Sequence, residues 1–215
     1  MRRKRAQSRR REGRPRMALE EMKARLRAEE GNIPWMYLDG AGQVTVGVGH
    51  RVTTAAAASM LPFTRPSGEA AKVAETCSAY NAVRALAPDK LPGYYQLTTH
   101  LRLPQTAIDE LLEGDLVFLT AALAHRLDGW DGYPAPAQEA LLDMGFQLGP
   151  SGLLQKFPLL CAAAEGGNWD ACASECHVLG ASEARNQARA GLFREAAIAA
   201  AVQPGKESDV EPGRT

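Results

Sequence analysis

Apolar positions recur at helical spacing along most of this chain, and the main exception lies near its beginning. Met17 to Glu29 reads as a helix with Leu19, Met22 and Leu26 on one face. Gly31-Asn32 ends that helix, and Pro34 blocks its continuation. From Met36 to His50 the period changes to two. Val44, Val46 and Val48 fall on one side of a strand, and Thr45, Gly47 and Gly49 on the other. Asp39-Gly40-Ala41-Gly42 supplies a turn. The pattern predicts a small hairpin with an apolar back and an open front.

Beyond Thr53 the spacing predicts helices over Thr54–Leu61, Gly68–Leu86 and Thr106–Leu127, punctuated by Pro62, Pro66, Pro88, Pro92 and Pro104. The run from Asp128 to Pro134 is a break. Further helices are expected over Pro136–Leu148, Ser151–Ala164, Trp169–Leu179 and Ser182–Ala201, the first with Ala137, Leu141, Met144 and Leu148 as a core stripe. The fold class is therefore α+β and mostly α, with a small N-terminal β-hairpin lobe and a helical C-terminal lobe.

Composition changes this picture at the two ends. The chain has 215 residues, 25 Lys or Arg against 25 Asp or Glu, and a formal net charge of zero. Residues 1–16 hold nine of the cations and one acid, which leaves 16 basic and 24 acidic residues in the rest. A basic segment on an acidic body reads as a disordered arm, either a solvated tail or an over-long translation start at Met17. The sharper reading is an arm that binds nucleic acid or an anionic surface. Residues 204–215, rich in Pro, Gly and charge, read as a disordered tail, which puts the folded domain at 17–203. There is no apolar leader segment and no run of roughly 20 apolar residues, so neither a secretory leader nor a membrane span is expected.

The four cysteines (Cys77, Cys161, Cys172, Cys176) read as core thiols. A metal site beside His177 lacks a CxxC or HExxH pattern, and no metal or other cofactor is expected. His100, His125 and His177 have no partner spacing. Trp35, Trp130 and Trp169 are expected in packing roles rather than as sugar platforms.

Candidate chemistry concentrates where the first helix meets the hairpin. Glu30 closes the helix, Asp39 sits in the glycine-rich turn nine residues on, and Thr45 follows six residues later. A carboxyl group at a helix C-terminus feels the negative end of the dipole, which favours its protonated form. Asp39, hydrogen-bonded in a turn, is expected to stay ionised. Two carboxyl groups in such different environments suit a general acid and a water-handling base. Taken alone, one Glu, one Asp and one Thr are a weak signal, because most acids are solvated surface charges.

A longer pattern sharpens it. Leu26-Arg27-Ala28-Glu29-Glu30-Gly31, then Tyr37-Leu38-Asp39, then Gly42-Gln43-Val44-Thr45-Val46-Gly47-Val48-Gly49-His50 resembles the catalytic segment of phage lysozymes of glycoside hydrolase family 24. Ala140 to Gly149 resembles the helix end that lines the cleft in that family, and Trp169-Asp170, Arg185 and Phe193 resemble its C-terminal part. The resemblance covers residues 17–50 and about 134–196, whereas 51–133 departs from the family and is longer than a compact phage lysozyme needs. It implies a lysozyme-like fold and a muramidase acting on the glycan strands of peptidoglycan. It assigns Glu30 as general acid, Asp39 with Thr45 as the water-positioning pair of an inverting reaction, Arg185 as the residue orienting Glu30, and Gln147 as a cleft-lining group. His50 is expected to anchor the hairpin through a carboxylate.

Two alternative activities are a lytic transglycosylase, which needs no water-activating Asp, and a non-catalytic wall-binding protein on the same scaffold. The long middle region, Phe157-Pro158 and Arg185-Asn186 look similar to lysozyme-like toxins delivered by type VI secretion; a phage endolysin released through a membrane pore also needs no leader. Either would be made in the cytoplasm and act in the periplasm or cell wall. The partners expected are peptidoglycan and, for an effector, an immunity protein or a secretion-system component. Nucleic acid is not expected.

Overall fold

The structure is a computed structural model and describes residues 20–202. The basic arm, the C-terminal tail and Leu19 of the first apolar face lie outside the described residues. The chain divides into two compact units, one ending at Val117 and the other beginning at Phe118. The fold is α+β and mostly α, as the periodicity predicts, with one three-stranded antiparallel sheet.

In the first unit, helix α1 (20–30) buries Met22 and Leu26. Gly31 terminates it with φ +84°, a left-handed conformation that a residue bearing Cβ adopts at a cost. The chain then enters β1 (Ile33–Leu38), β2 (Val44–Gly47) and β3 (His50–Arg51). Tyr37 pairs with Thr45, Leu38 with Val44, and Ile33 with Gly47; the register slips between Ile33 and Tyr37, across Pro34, which has no N–H to give. On the other side of β2, Thr45 faces Arg51 and Val46 faces His50.

Helices α2 (Ala55–Ser59), α3 (Val73–Arg84), α4 (Pro92–Tyr95) and the long α5 (Gln105–Ala124) follow. Thr54 caps α2, its hydroxyl accepting from the Ala57 amide at 3.0 Å. The short α4 is not apparent in the apolar spacing; it starts on Pro92, whose fixed φ suits a first helical turn. Ion pairs connect α1 with α5: Arg27 meets Asp109 at 2.6 Å, and Lys23 meets Glu113 at 3.1 Å.

One expectation about the sheet is corrected. Every residue of β2 is buried, Thr45 included at 2% exposure, so of the expected front Thr45, Gly47 and Gly49 only Gly49 is open. Helices α3 and α4 pack against β1, and α3 also against β2. Gly47 has φ +66°, and a Cβ there would lie 3.2 Å from Cγ2 of Ile108 on α5. The missing side chain thus lets α5 approach β2. Gly47→Ala is expected to combine left-handed strain with overpacking and to lower unfolding stability by about 2 kcal/mol. Denaturant titration of the two proteins checks this, and an unchanged midpoint would refute it.

The second unit contains the end of α5, a 3-10 turn (Trp130–Gly132), and helices α6 (Ala135–Leu148), α7 (Pro150–Lys156), α8 (Pro158–Glu165), α9 (Trp169–Glu175) and α10 (Glu183–Val202). The expected stripe on α6 is largely present: Ala137, Leu141 and Met144 are fully buried, and Leu148 packs at the edge of the same core. At Gly145 a Cβ would lie 3.1 Å from Leu119 and 3.3 Å from Leu123, so α6 passes close to the last turns of α5. Trp130, Tyr133 and Trp169 stack in sequence, with ring centroids 5.8 and 5.1 Å apart. Trp130 and Trp169 are therefore core residues, as expected.

The single helix expected over 151–164 is instead two. Pro158 cannot donate to the preceding turn, and Phe157 takes φ −127°, ψ 52°, which interrupts the helix.

Cys161, Cys172 and Cys176 are free thiols buried in this core, and Cys77 is a partly buried free thiol in the first unit. Burial pushes the Cys172 thiol up to about 12, with Cys176 and Cys161 adding to the effect. Burial likewise lifts Tyr133, with Glu165 next in effect, to about 12. In the unfolded chain these groups ionise near their ordinary 9.0 and 10.0. Their contribution to stability is therefore complete below pH 9 and is lost as pH rises towards 12. Urea midpoints should fall across that window, each group costing up to about 1.4 kcal/mol per pH unit. A flat profile between pH 8 and 11 would contradict the burial of these groups.

Candidate active site

The first unit holds three of the expected residues, Glu30 ahead of β1, Asp39 directly after it and Thr45 on β2. Glu30 is half-buried on the last turn of α1, immediately before the glycine that stops the helix. Asp39 follows β1 and organises the turn to β2. Its Oδ1 accepts from the amides of Ala41 at 2.9 Å and Gln43 at 2.8 Å, while its own amide donates to the Gln43 carbonyl at 2.9 Å. This is the turn chemistry for which an Asp is suited. It occupies one carboxylate oxygen and leaves Oδ2 on the other side.

Oδ2 lies 3.5 Å from Oγ1 of Thr45 and 3.7 Å from Nε of Arg51. The Thr45 hydroxyl has one proton and a nearer acceptor, the Gln43 carbonyl at 3.1 Å. The hydroxyl can donate to either oxygen and keeps lone pairs to accept from a third group. Oδ2 and Oγ1 are thus adjacent polar oxygens at the end of the turn. The side chain of Asp39 keeps 25% of its surface accessible.

Tyr37 connects the two carboxylates. It pairs with Thr45 across the sheet, is itself buried, and its phenol is pushed up to about 12 by burial, then by the charge of Asp39, then by that of Glu30. Both carboxyl groups therefore lie within electrostatic reach of one ring. Tyr37 keeps its proton throughout the neutral range and contributes to the alkaline loss of stability described above.

His50 has the carboxylate partner expected for it. Its Nδ1 lies 2.9 Å from Oδ2 of Asp115 on α5, which connects β3 to that helix. Trp35 is half-buried, donates from its indole N–H to the Pro92 carbonyl at 2.9 Å, and lies beneath the Arg102 guanidinium at 5.0 Å.

The remaining two expected residues belong to the second unit, where they form a buried polar cluster between α6 and α10. Arg185 reaches Asp143 through Nε at 3.2 Å and Nη2 at 3.1 Å. Arg189, 1% exposed, also donates to Asp143, and through Nη2 to the amide oxygen of Gln147 at 2.7 Å. Asn186 bonds both the amide and the carbonyl of Val178 at 3.0 and 3.1 Å, and its oxygen also receives Arg189 at 3.4 Å. Gln147 and Arg185 are thus parts of one network whose centre, Asp143, and second cation, Arg189, the sequence reading did not single out. The signal was present: Asp143 and Gln147 on one helix, and Arg185 and Arg189 on the other, are both i, i+4 pairs.

Asp115 and Arg51 were also missed. Their proximity to His50 and Asp39 depends on strand register and on a helix about 65 residues away in sequence, as the His50–Asp115 separation records. Among the described residues, no group of three His, Cys, Asp or Glu is arranged to hold a metal ion, and no helix is long and apolar enough to cross a membrane. No protein-family model matches the chain, and no curated protein matches it either.

Proposed function

We propose that this protein is a muramidase of the phage-lysozyme kind, hydrolysing the β-1,4 bond between N-acetylmuramic acid and N-acetylglucosamine in peptidoglycan. The observation that carries the reading is the proximity of Asp39 Oδ2 and Thr45 Oγ1, 3.5 Å apart beside a turn that Asp39 itself organises. In this reading the Glu30 carboxyl group donates its proton to the glycosidic oxygen as the C1–O bond breaks. A water held by Asp39 and Thr45 attacks C1 from the opposite face and gives its proton to Asp39. Asp39 then releases that proton to solvent, and solvent returns one to Glu30. Attack from the opposite face inverts the anomeric centre, and such enzymes place their two carboxyl groups about 6.5–9.5 Å apart.

The resemblance of residues 17–50 to phage lysozymes supports the same assignment. By the same resemblance, His50 takes a supporting role in the hairpin. Delivery to the periplasm or cell wall as an antibacterial effector, paired with an immunity protein, is one route to this substrate. Release as an endolysin is the other route.

The test is clearing of purified peptidoglycan by the wild type and by Glu30→Gln, with mass analysis of the soluble fragments. Wild-type clearing that yields reducing N-acetylmuramic acid ends, and is lost in the variant, is the expected result. Anhydro ends would make the protein a lytic transglycosylase and remove the role given to Asp39 and Thr45. A folded wild type that binds peptidoglycan without clearing it would leave a wall-binding protein.

A further inference from the structure

A row of three side chains crosses the sheet at the candidate site. Tyr37 on β1, Thr45 on β2 and Arg51 on β3 are register partners, and residues directly opposite on antiparallel strands share a face. Tyr37 and Thr45 are buried, whereas the Arg51 side chain keeps 63% of its surface accessible. Its Nε lies 3.7 Å from Oδ2 of Asp39, longer than a hydrogen bond. Among the described residues, neither Nη1 nor Nη2 has a hydrogen-bond partner. An ion pair this long and this exposed contributes little to stability, so it gives no structural reason for a guanidinium here. The row thus ends, beside Asp39, in a planar cation whose fork of donors is free.

We propose that Arg51 is the specificity residue of this site and binds a carboxylate on the muramic acid branch of the substrate. The inference rests on the muramidase reading and names what that site selects. The two sugars of peptidoglycan differ in one group. N-acetylmuramic acid carries a lactyl ether at O3, where N-acetylglucosamine has a hydroxyl. On a bare strand the lactyl group is a carboxylate; on a peptide-bearing strand it is an amide, and the carboxylates belong to the peptide. A guanidinium fork matches a carboxylate through two parallel hydrogen bonds, which a neutral hydroxyl does not reproduce.

In the proposed reaction the ring attacked at C1 is the same ring that bears the ether. A cation beside the water-handling carboxylate thus addresses the ring that distinguishes peptidoglycan from a neutral N-acetylglucosamine polymer. Overall charge does not supply this attraction. Beyond residue 16 the chain has 24 acids against 16 cations, so an anionic strand is drawn by a local cation and not by the body as a whole.

The test is calorimetric titration on a Glu30→Gln background, so that no ligand is cleaved. Three ligands are compared: soluble peptide-bearing strands, strands stripped of peptide by an amidase, and a chitin oligosaccharide of similar length. Arg51→Gln is expected to weaken at least one anionic ligand by about tenfold or more relative to its effect on chitin. A loss on stripped strands assigns the contact to the lactyl carboxylate, and a loss confined to peptide-bearing strands assigns it to the peptide. Arg51→Lys, which keeps the charge without the fork, should recover part of the loss, and the preference should fade as salt is raised. Arg126→Gln, which removes the same charge from another exposed position, should leave all three affinities as they were. An equal loss on chitin and on the anionic strands would make Arg51 a support for Asp39 rather than a binding group. That result, or no loss on any ligand, overturns the proposal, and a wild type that cleaves peptidoglycan would still uphold the muramidase reading. A wild type that cleaves nothing yet binds anionic strands through Arg51 would remove the hydrolysis and keep this contact.

Discussion

Glu30→Gln is expected to melt with the wild type and to cleave peptidoglycan about 10²–10⁴-fold more slowly, the range for loss of a positioned general acid. Gln has nearly the same shape as a protonated Glu and can still hydrogen-bond a glycosidic oxygen, but it has no proton to transfer. The loss should therefore fall on kcat rather than on substrate binding. Asp39→Asn tests the other half of the reaction. It keeps a carbonyl oxygen to accept from Ala41 and Gln43 and removes the base that takes the proton of water. Thr45→Val removes the second acceptor. If the two groups hold one water, the double variant should lose less than the product of the single losses. Independent, multiplicative losses would argue against a shared water. Full activity in Asp39→Asn would sink the inverting mechanism.

Asp143→Ala is expected to destabilise the second unit by about 3–5 kcal/mol, the cost of breaking a buried ion pair by removing one partner. Two guanidiniums converge on this carboxylate. Without it, Arg189 faces only the neutral oxygens of Gln147 and Asn186 at a position with 1% exposure. Arg189→Met should cost less, because Asp143 retains Arg185 and the thioether fills much of the space left by the guanidinium. The comparison uses chemical denaturation of both variants. An Asp143→Ala protein as stable as Arg189→Met would show that the charge imbalance is not what holds α6 against α10. A loss of this size is a large fraction of the 5–15 kcal/mol that separates most folded domains from their unfolded chains.

How far the sequence could be read depended on how local the determining interaction was. The ends of α1, β2 and α6 were legible because a glycine, a run of alternating valines and a core stripe act within a few residues of themselves. Asp39 was legible for the same reason, since its turn is built from neighbours two and four residues away. The break at Phe157-Pro158 was equally local and was passed over, because the apolar spacing continues across it. Thr45 was misplaced on an open face because period-two alternation states which side a residue takes and is silent about what covers that side. The covering helices come from elsewhere in the chain.

By itself, then, the sequence determined the mostly helical α+β class, the position of the β segment, and the turn built on Asp39. Tertiary structure alone decided the burial of Thr45, the pairing of His50 with Asp115, and the convergence of Arg185 and Arg189 on Asp143. Propensity, capping and turn chemistry operate over one to four residues and are written in neighbouring letters. Burial and long-range charge pairing arise only when helices distant in sequence close over one another, and no short-range pattern encodes which of them will meet.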